Sequence, residues 1–335
     1  MNILFTCAGR RTYLLNYFRE NLNTGDTIIA TDMQLSAPAL QAADVKIQVP
    51  AVYAKDYIDI TLGICSKHHV DALISLNDLE LPILAENKAK FEAEGVNVIV
   101  SDPQVIDICF DKYKTAQWVE SIGLKAPKTY VRLADVKKAL ANGNIAFPLF
   151  MKPRWGSGSI GLETIEDMEE LEIYYHILMK KIKKSILATA SIGEEYIMVQ
   201  EKLTGEEFGL DVMNDLKGNN VGVSVKKKLA MRAGETDKAI TVDLPEVREM
   251  GKRIGEHLHH IGNLDMDIMQ RANGDYCVLE LNPRFGGGFP FSYEAGVNFP
   301  KAIIEWIKGN EVNTLMLVPQ YGKMFAKNDY LMEIR

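Results

Sequence analysis

The first turn of the chain lacks the Gly-x-Gly-x-x-Gly spacing that lets a backbone approach a pyrophosphate. A single glycine, Gly9, follows the opening apolar run, which argues against a dinucleotide site there. No Gly-Lys-Ser/Thr closes the later glycine-rich loop, so that loop is not a Walker A phosphate cradle. Cysteine is sparse: Cys7, Cys65, Cys109 and Cys277 are scattered, with no Cys-x-x-Cys pair. That pattern disfavours disulfides and zinc and fits reduced, buried thiols in a cytoplasmic setting. The start, Met1-Asn2-Ile3-Leu4-Phe5, has no basic segment leading into a long apolar core, so it does not read as a signal peptide. No apolar run approaches the roughly 20 residues of a membrane helix. The net charge of −7, without a long basic tract, makes nucleic acid and anionic membranes poor partners.

What is present is ordinary globular composition, 47% hydrophobic and 25% charged over 335 residues, enough for roughly two to three domains. The first hundred residues alternate short apolar runs (2–6, 27–31, 71–76 and 96–100) with helical stretches at 12–21 and from about 79. That alternation predicts a parallel sheet covered on both faces. A helix is expected from Asp111 to Ile122, ended by Gly123. The run 147–153 reads as a strand with Lys152 near its end, followed by a loop holding Gly156, Ser157, Gly158, Ser159 and Gly161. Backbone N–H groups in such a loop can approach phosphate without Cβ interference. A second apolar strand, 195–203, runs into Glu201-Lys202-Leu203, and Glu207 opens the next strand. Residues 221–229 form a strand carrying Lys226, Lys227 and Lys228, and 230–238 a loop carrying Arg232 and Lys238. Of the histidines at the end of the 245–261 helix, His257 and His260 share a face; without a nearby acid they read as a packed or solvated helix end. The tail 314–334 reads as two strand-like runs around Tyr321-Gly322.

The most informative stretch is 264–288. It predicts a strand, a two-residue Asn273-Gly274 turn, a return strand and a glycine run. Glu280 and Asn282 are two apart and share a face, with Asp267 near the same level on the partner strand. Two carboxylates and an amide oxygen form a hard-oxygen set suited to Mg²⁺. Arg284 supplies a fixed cation for phosphoryl oxygens at the next same-face position. A salt-bridged surface hairpin is the structural alternative.

Glu280-Leu281-Asn282-Pro283-Arg284 resembles the metal-binding strand of ATP-grasp enzymes of the carbamoyl-phosphate-synthetase-like kind. The resemblance implies that Glu280 bridges two Mg²⁺ ions, with Mn²⁺ as an alternative metal, that Asp267 and Asn282 each hold one, and that Arg284 steadies the transferring phosphate. It matches Lys152 and Lys112 to two lysines that reach the nucleotide, and the loop Gly156, Ser157, Gly158, Ser159, Gly161 to a lid over the phosphates. It implies that the Glu201 carbonyl and Leu203 N–H, flanking Lys202, read the adenine of ATP, that Glu207 takes the ribose hydroxyls, and that a basic residue such as Arg232 lies near the reacting phosphate. The fold so implied is α/β: a Rossmann-like pre-ATP-grasp domain (1–105), a linker helix (106–126), a lid lobe (127–203), a catalytic lobe (204–308) and a C-terminal extension (309–335). The implied reaction joins a small carboxylate to an amine through an acyl phosphate, releasing ADP and phosphate. A full carbamoyl-phosphate synthetase would carry two such units. A non-catalytic nucleotide-binding regulator would not need the complete acidic set. Arg10 and Arg11 either hold an acidic substrate or are surface turn charges, and assembly as a homodimer is left open.

Overall fold

A computed structural model describes residues 1–156, 161–190 and 195–334. The N-terminal third is a parallel sheet of β1 (Asn2–Thr6), β2 (Thr27–Asp32), β3 (Val45–Gln48), β4 (Ala72–Ser75) and β5 (Asn97–Val98). Their order is β3-β2-β1-β4-β5. The winding reverses between β1 and β4, so the crevice at their carboxyl ends opens beside Cys7, Asn77 and Asp78. β3 was not among the expected strands. Its burial alternates half-buried with exposed at the sheet edge, and it lacks the continuous apolar run of its neighbours. The expected single linker helix is two helices, Pro103–Phe110 and Lys112–Ser121. Asp111 breaks them apart: its backbone is extended and its carboxylate caps the second helix, accepting from Tyr113 N and Lys114 N.

The middle of the chain forms an antiparallel sheet of β6 (Thr129–Tyr130), β7 (Leu149–Pro153), β8 (Glu163–Ile165) and β9 (Ile197–Glu201), in the order β6-β9-β7-β8. The helix Met168–Lys183 packs Leu171, Leu178 and Ile182 into the same core as Met151, Ile165 and Val199. The largest sheet is antiparallel and six-stranded. It comprises β10 (Glu207–Asn214), β11 (Asn220–Arg232), β12 (Glu235–Thr241), β13 (Gly262–Gln270), β14 (Tyr276–Asn282) and β15 (Met324–Ala326), ordered β14-β13-β10-β11-β12-β15. The helix Pro245–Leu258 covers one face, and Gly251 lets it lie close: a Cβ there would meet Val223 Cγ1 at 2.8 Å.

Three local expectations need correction. Residues 230–238 are not a loop but the tight junction of β11 and β12. Ala233 and Gly234 take φ of 51° and 78°, the two-residue hairpin geometry that favours right-twisted strands. The 264–288 hairpin turns instead over 271–275, where Arg271 N donates to Asp275 O at 2.6 Å and Asp275 N to Asn273 Oδ1 at 3.1 Å. The tail holds a 3-10 turn, Thr314–Leu317, and one strand, β15, on the edge of the large sheet.

One hydrophobic cluster ties the first domain to the last third of the chain. Phe5, Leu14 and Phe18 share it with Phe285, Phe289, Phe299 and Ile303. Each such side chain contributes about 1.5–3 kcal/mol on full burial, so the parallel sheet is bound to the large antiparallel one by its own core. Among the described residues no helix is long and apolar enough to cross a membrane.

Candidate active site

A cleft of about 400 Å³ lies between the four-stranded and six-stranded sheets. Lys112, Lys152, Gly156, Glu201, Leu203, Glu207, Asp267 and Glu280 all line it. Phe150, Trp155, Leu162, Met231, Met269 and Leu279 supply apolar walls from both sheets, the surroundings a flat ring requires. The chain crosses between sheets after β9. There the Glu201 carboxylate receives Lys128 N at 2.7 Å and Arg271 Nη2 at 2.5 Å, pinning the crossing to both sides. Gly205 lies so close to β13 that a Cβ would fall 1.7 Å from Gln270 O, so only glycine fits.

The acids come from the hairpin. In the β13–β14 register Asp267 faces Glu280 and Asp265 faces Asn282. Asn282 Nδ2 donates to Glu280 Oε1 at 3.3 Å. Lys228, on β11, reaches Asp267 Oδ1 at 2.6 Å and Glu207 Oε1 at 2.7 Å. Burial pushes the Asp267 carboxyl up to about 7; Lys228 opposes this, while Asp265 and Glu280 reinforce it. Burial acts to raise Glu280 too, but the charges of Lys112 and Lys152 outweigh it and hold this carboxyl below the usual range. Burial brings Lys152 down to about 8 against the pull of Glu280. Among the described residues no three His, Cys, Asp or Glu converge. The donor set is two carboxylates and an amide beside a lysine-lined cleft, which fits Mg²⁺ completed by phosphate oxygens and not a transition-metal cage.

The other expected residues fall elsewhere. Arg284 is buried and braces two domains, with Nη2 on Asp78 Oδ2 at 2.9 Å and Nη1 on Asp265 Oδ2 at 2.8 Å. Burial would lower its pKa, but Asp78 and Asp265 raise it above the usual arginine value. Arg232 does not line the cleft: it is half-exposed and paired with Asp329 and with Asp237 Oδ1 at 3.0 Å. Lys202 points to Thr164 Oγ1 at 3.3 Å and lies 5.4 Å from the Phe150 ring centre. Gly161 packs against Leu178 and Pro153, outside the cleft lining. Ser157, Gly158 and Ser159 lie outside the described residues. Arg11 donates to Phe285 O. His260 is buried on Val212 O at 3.0 Å, and His257 holds Arg253 O at 2.8 Å.

Lys228 was not singled out from its neighbours by sequence. Strand alternation puts Lys226 and Lys228 on one face, but Lys226 is engaged deeper, by Asp211 and by Ser292 Oγ at 3.0 Å. Asp265 gave no local signal, and Asp78, which the sequence places at a strand end facing the substrate cleft, gave no sign of its pairing with Arg284.

A family model described as ATP-grasp in the biosynthetic pathway with Ter operon matches residues 194–324, and a PylC-like N-terminal domain matches residues 3–99. Residues 194–324 thus match an ATP-grasp domain, behind a PylC-like N-terminal domain. The chain is 25% identical over 201 residues to the D-alanine–D-alanine ligase of Stutzerimonas stutzeri, covering 57% of itself and 60% of that protein. It is 24% identical over 251 residues to the carbamoyl phosphate synthase large chain of Helicobacter pylori, covering 71% of itself and 22% of that protein. It therefore spans less than two thirds of these curated relatives. The biotin carboxylase of Campylobacter jejuni, solved with β-γ-ATP, shares the fold with a TM-score of 0.74 at 18% identity, over 93% of this chain and 72% of that one.

Proposed function

We propose that this ATP-grasp protein is an ATP- and Mg²⁺-dependent carboxylate–amine ligase that forms an acyl phosphate and releases ADP and phosphate. The observation that carries the reading is the meeting of Lys112, Lys152 and Lys228 with Glu207, Asp267 and Glu280 around one cleft. Lys112 and Lys152 hold the phosphates. Glu201 and Leu203 meet the adenine along their backbone, and Glu207 takes the ribose. Asp267, Glu280 and Asn282 would hold Mg²⁺, which when bound neutralises charge on the phosphoryl oxygens. With the phosphates so fixed, transfer rests on positioning and preorganised charge.

The acceptor carboxylate oxygen forms a bond to the γ-phosphorus as the bond to the bridging oxygen breaks and ADP leaves. A free amine then attacks the acyl carbon, expels phosphate and loses its proton to solvent, so no protein base is required. The acceptor lies against the Arg284–Gly288 segment. There Gly286 leaves no room for a Cβ, which would sit 2.0 Å from Asp265 Cγ, and Arg11, held beside the segment on Phe285 O, favours a carboxylate. A small acidic molecule, an amino acid or a short peptide, fits best. Arg232, engaged by Asp329 and Asp237 outside the cleft, is assigned no step.

The test is ATP turnover with hydroxylamine across a panel of carboxylic acids. Hydroxamate together with ADP is expected for the true acceptor. AMP and pyrophosphate as products would sink the acyl-phosphate route, and turnover with bicarbonate alone would favour carbamoyl-phosphate chemistry.

A further inference from the structure

Two side chains that no step above uses stand directly beside the two cleft lysines. Asp111 immediately precedes Lys112, and Arg154 follows Lys152 by two positions. Arg154 grips Asp111 with a two-point fork, Nε to Oδ1 at 2.8 Å and Nη2 to Oδ2 at 2.7 Å. The pair is nearly buried, with side chains 11% and 3% exposed. Arg154 Nη1 also reaches Glu195 Oε2 at 3.2 Å. Its guanidinium lies 4.7 Å from the Trp155 ring centre and 5.3 Å from that of Tyr113. Every face of this cation is occupied, and a lysine could reproduce neither the fork nor the stacking.

The two partners belong to different lobes. The helix Lys112–Ser121 packs Ala116 and Val119 into the core that holds Phe208, Val278 and Leu281 of the six-stranded sheet. Arg154 leaves the end of β7 in the four-stranded sheet, where its N–H donates to Tyr196 O at 2.9 Å. Backbone and side chain close the same seam: Lys112 N donates to Arg154 O at 3.2 Å, and Lys112 Nζ donates to Gly156 O. The Asp111–Arg154 clasp and these two bonds therefore join the segment that carries Lys112 to the strand end that carries Lys152.

We propose that Asp111 and Arg154 are positioning residues that lock Lys112 and Lys152 into one phosphate-binding unit across the boundary between the two lobes. This rests on the nucleotide reading above. The clasp touches no residue of the crossing at 201–203, and meets the apolar walls only through the Trp155 ring stacked on Arg154, so its loss acts on phosphates more than on the base.

The test measures binding of adenosine, Mg·ADP and Mg·ATP by calorimetry or competition, on the full chain. The variants are Arg154→Lys, Arg154→Met and Asp111→Asn, the last keeping a capping oxygen for the helix. Mg·ATP and Mg·ADP affinity should fall at least tenfold in each, adenosine affinity should stay within twofold, and Asp111→Asn with Arg154→Met should lose no more than either alone. Should Arg154→Met not fold, Arg154→Lys, which keeps the charge, carries the comparison. Equal losses for adenosine and Mg·ATP would show a merely structural pair and overturn the inference, as would unchanged Mg·ATP affinity. Wild-type protein that binds neither adenosine nor Mg·ATP would overturn the nucleotide reading itself and take the inference with it.

Discussion

Glu80 in the parallel sheet and Glu280 in the antiparallel sheet are both buried carboxyls, yet their surroundings are opposite in kind. Glu80 stands just past β4, fully buried. It accepts from three neutral hydroxyls: Tyr57 at 2.5 Å, Ser75 at 2.5 Å and Thr6 at 2.7 Å. Among the described residues no cation forms an ion pair with it. Burial pushes its pKa up, and its hydrogen bonds offset that only in part. Glu280 has one amide hydrogen bond and the charges of Lys112, Lys152 and Lys228, and remains below the usual carboxylate range. A carboxyl closed off by hydroxyls has its lone pairs filled by the protein and can only hold structure. One steadied by surrounding charges keeps its oxygens for a ligand.

The contrast is broken most directly by removing each charge. Glu280→Gln should lower Mg·ATP turnover by at least ~100-fold while leaving the fold intact, because an oxyanion is lost where phosphoryl charge moves. Glu80→Gln should leave turnover per folded molecule near wild type. Steady-state ADP release, normalised to the folded fraction by circular dichroism, checks both, and near wild-type turnover by Glu280→Gln would remove the metal assignment. A smaller effect separates the two ends of the cleft. Mg·ATP should raise the melting temperature of wild type, and NAD⁺ should not. Lys152→Ala and Glu207→Ala should each weaken Mg·ATP binding about tenfold, or ~1.4 kcal/mol, and only the Glu207 variant should also lose adenosine affinity. The smallest effect is in pH. A carboxyl whose folded pKa lies above its unfolded value binds its proton more tightly when folded, so its contribution to stability falls as pH rises through that window. The melting temperature of wild type relative to Glu80→Gln should therefore rise as pH drops from 7 towards the ordinary carboxylate value of 4.5. A gap that is flat or narrows on acidification would contradict the direction of the shift.

Sequence showed the parts of this site whose signal is local. A lysine at a strand end, acids alternating along a hairpin and a glutamate opening β10 each announce themselves by spacing, and the structure gathers Lys152, Asp267, Glu280 and Glu207 around one cleft. Tertiary choices left no such trace. Lys226 and Lys228 are equivalent by alternation, and only the presence of Asp211 beneath one and Asp267 beside the other tells them apart. Arg284 read as a phosphate cation because its acids, Asp78 and Asp265, come from another domain and another strand. The tight β11–β12 junction was missed because Ala233, not glycine, takes the first left-handed position.

The shared aromatic cluster has a consequence for synthesis on the ribosome. The first domain contributes Phe5, Leu14, Ile74 and Ile99, but Phe285, Phe289 and Phe299 complete the same cluster. Those partners emerge roughly 190 residues after Ile99, on the order of ten to forty seconds later at translation rates of ~5–20 residues per second. For that interval one apolar face of the nascent domain has no intramolecular cover. Slowing elongation beyond residue 100 should lengthen the domain's dependence on chaperones.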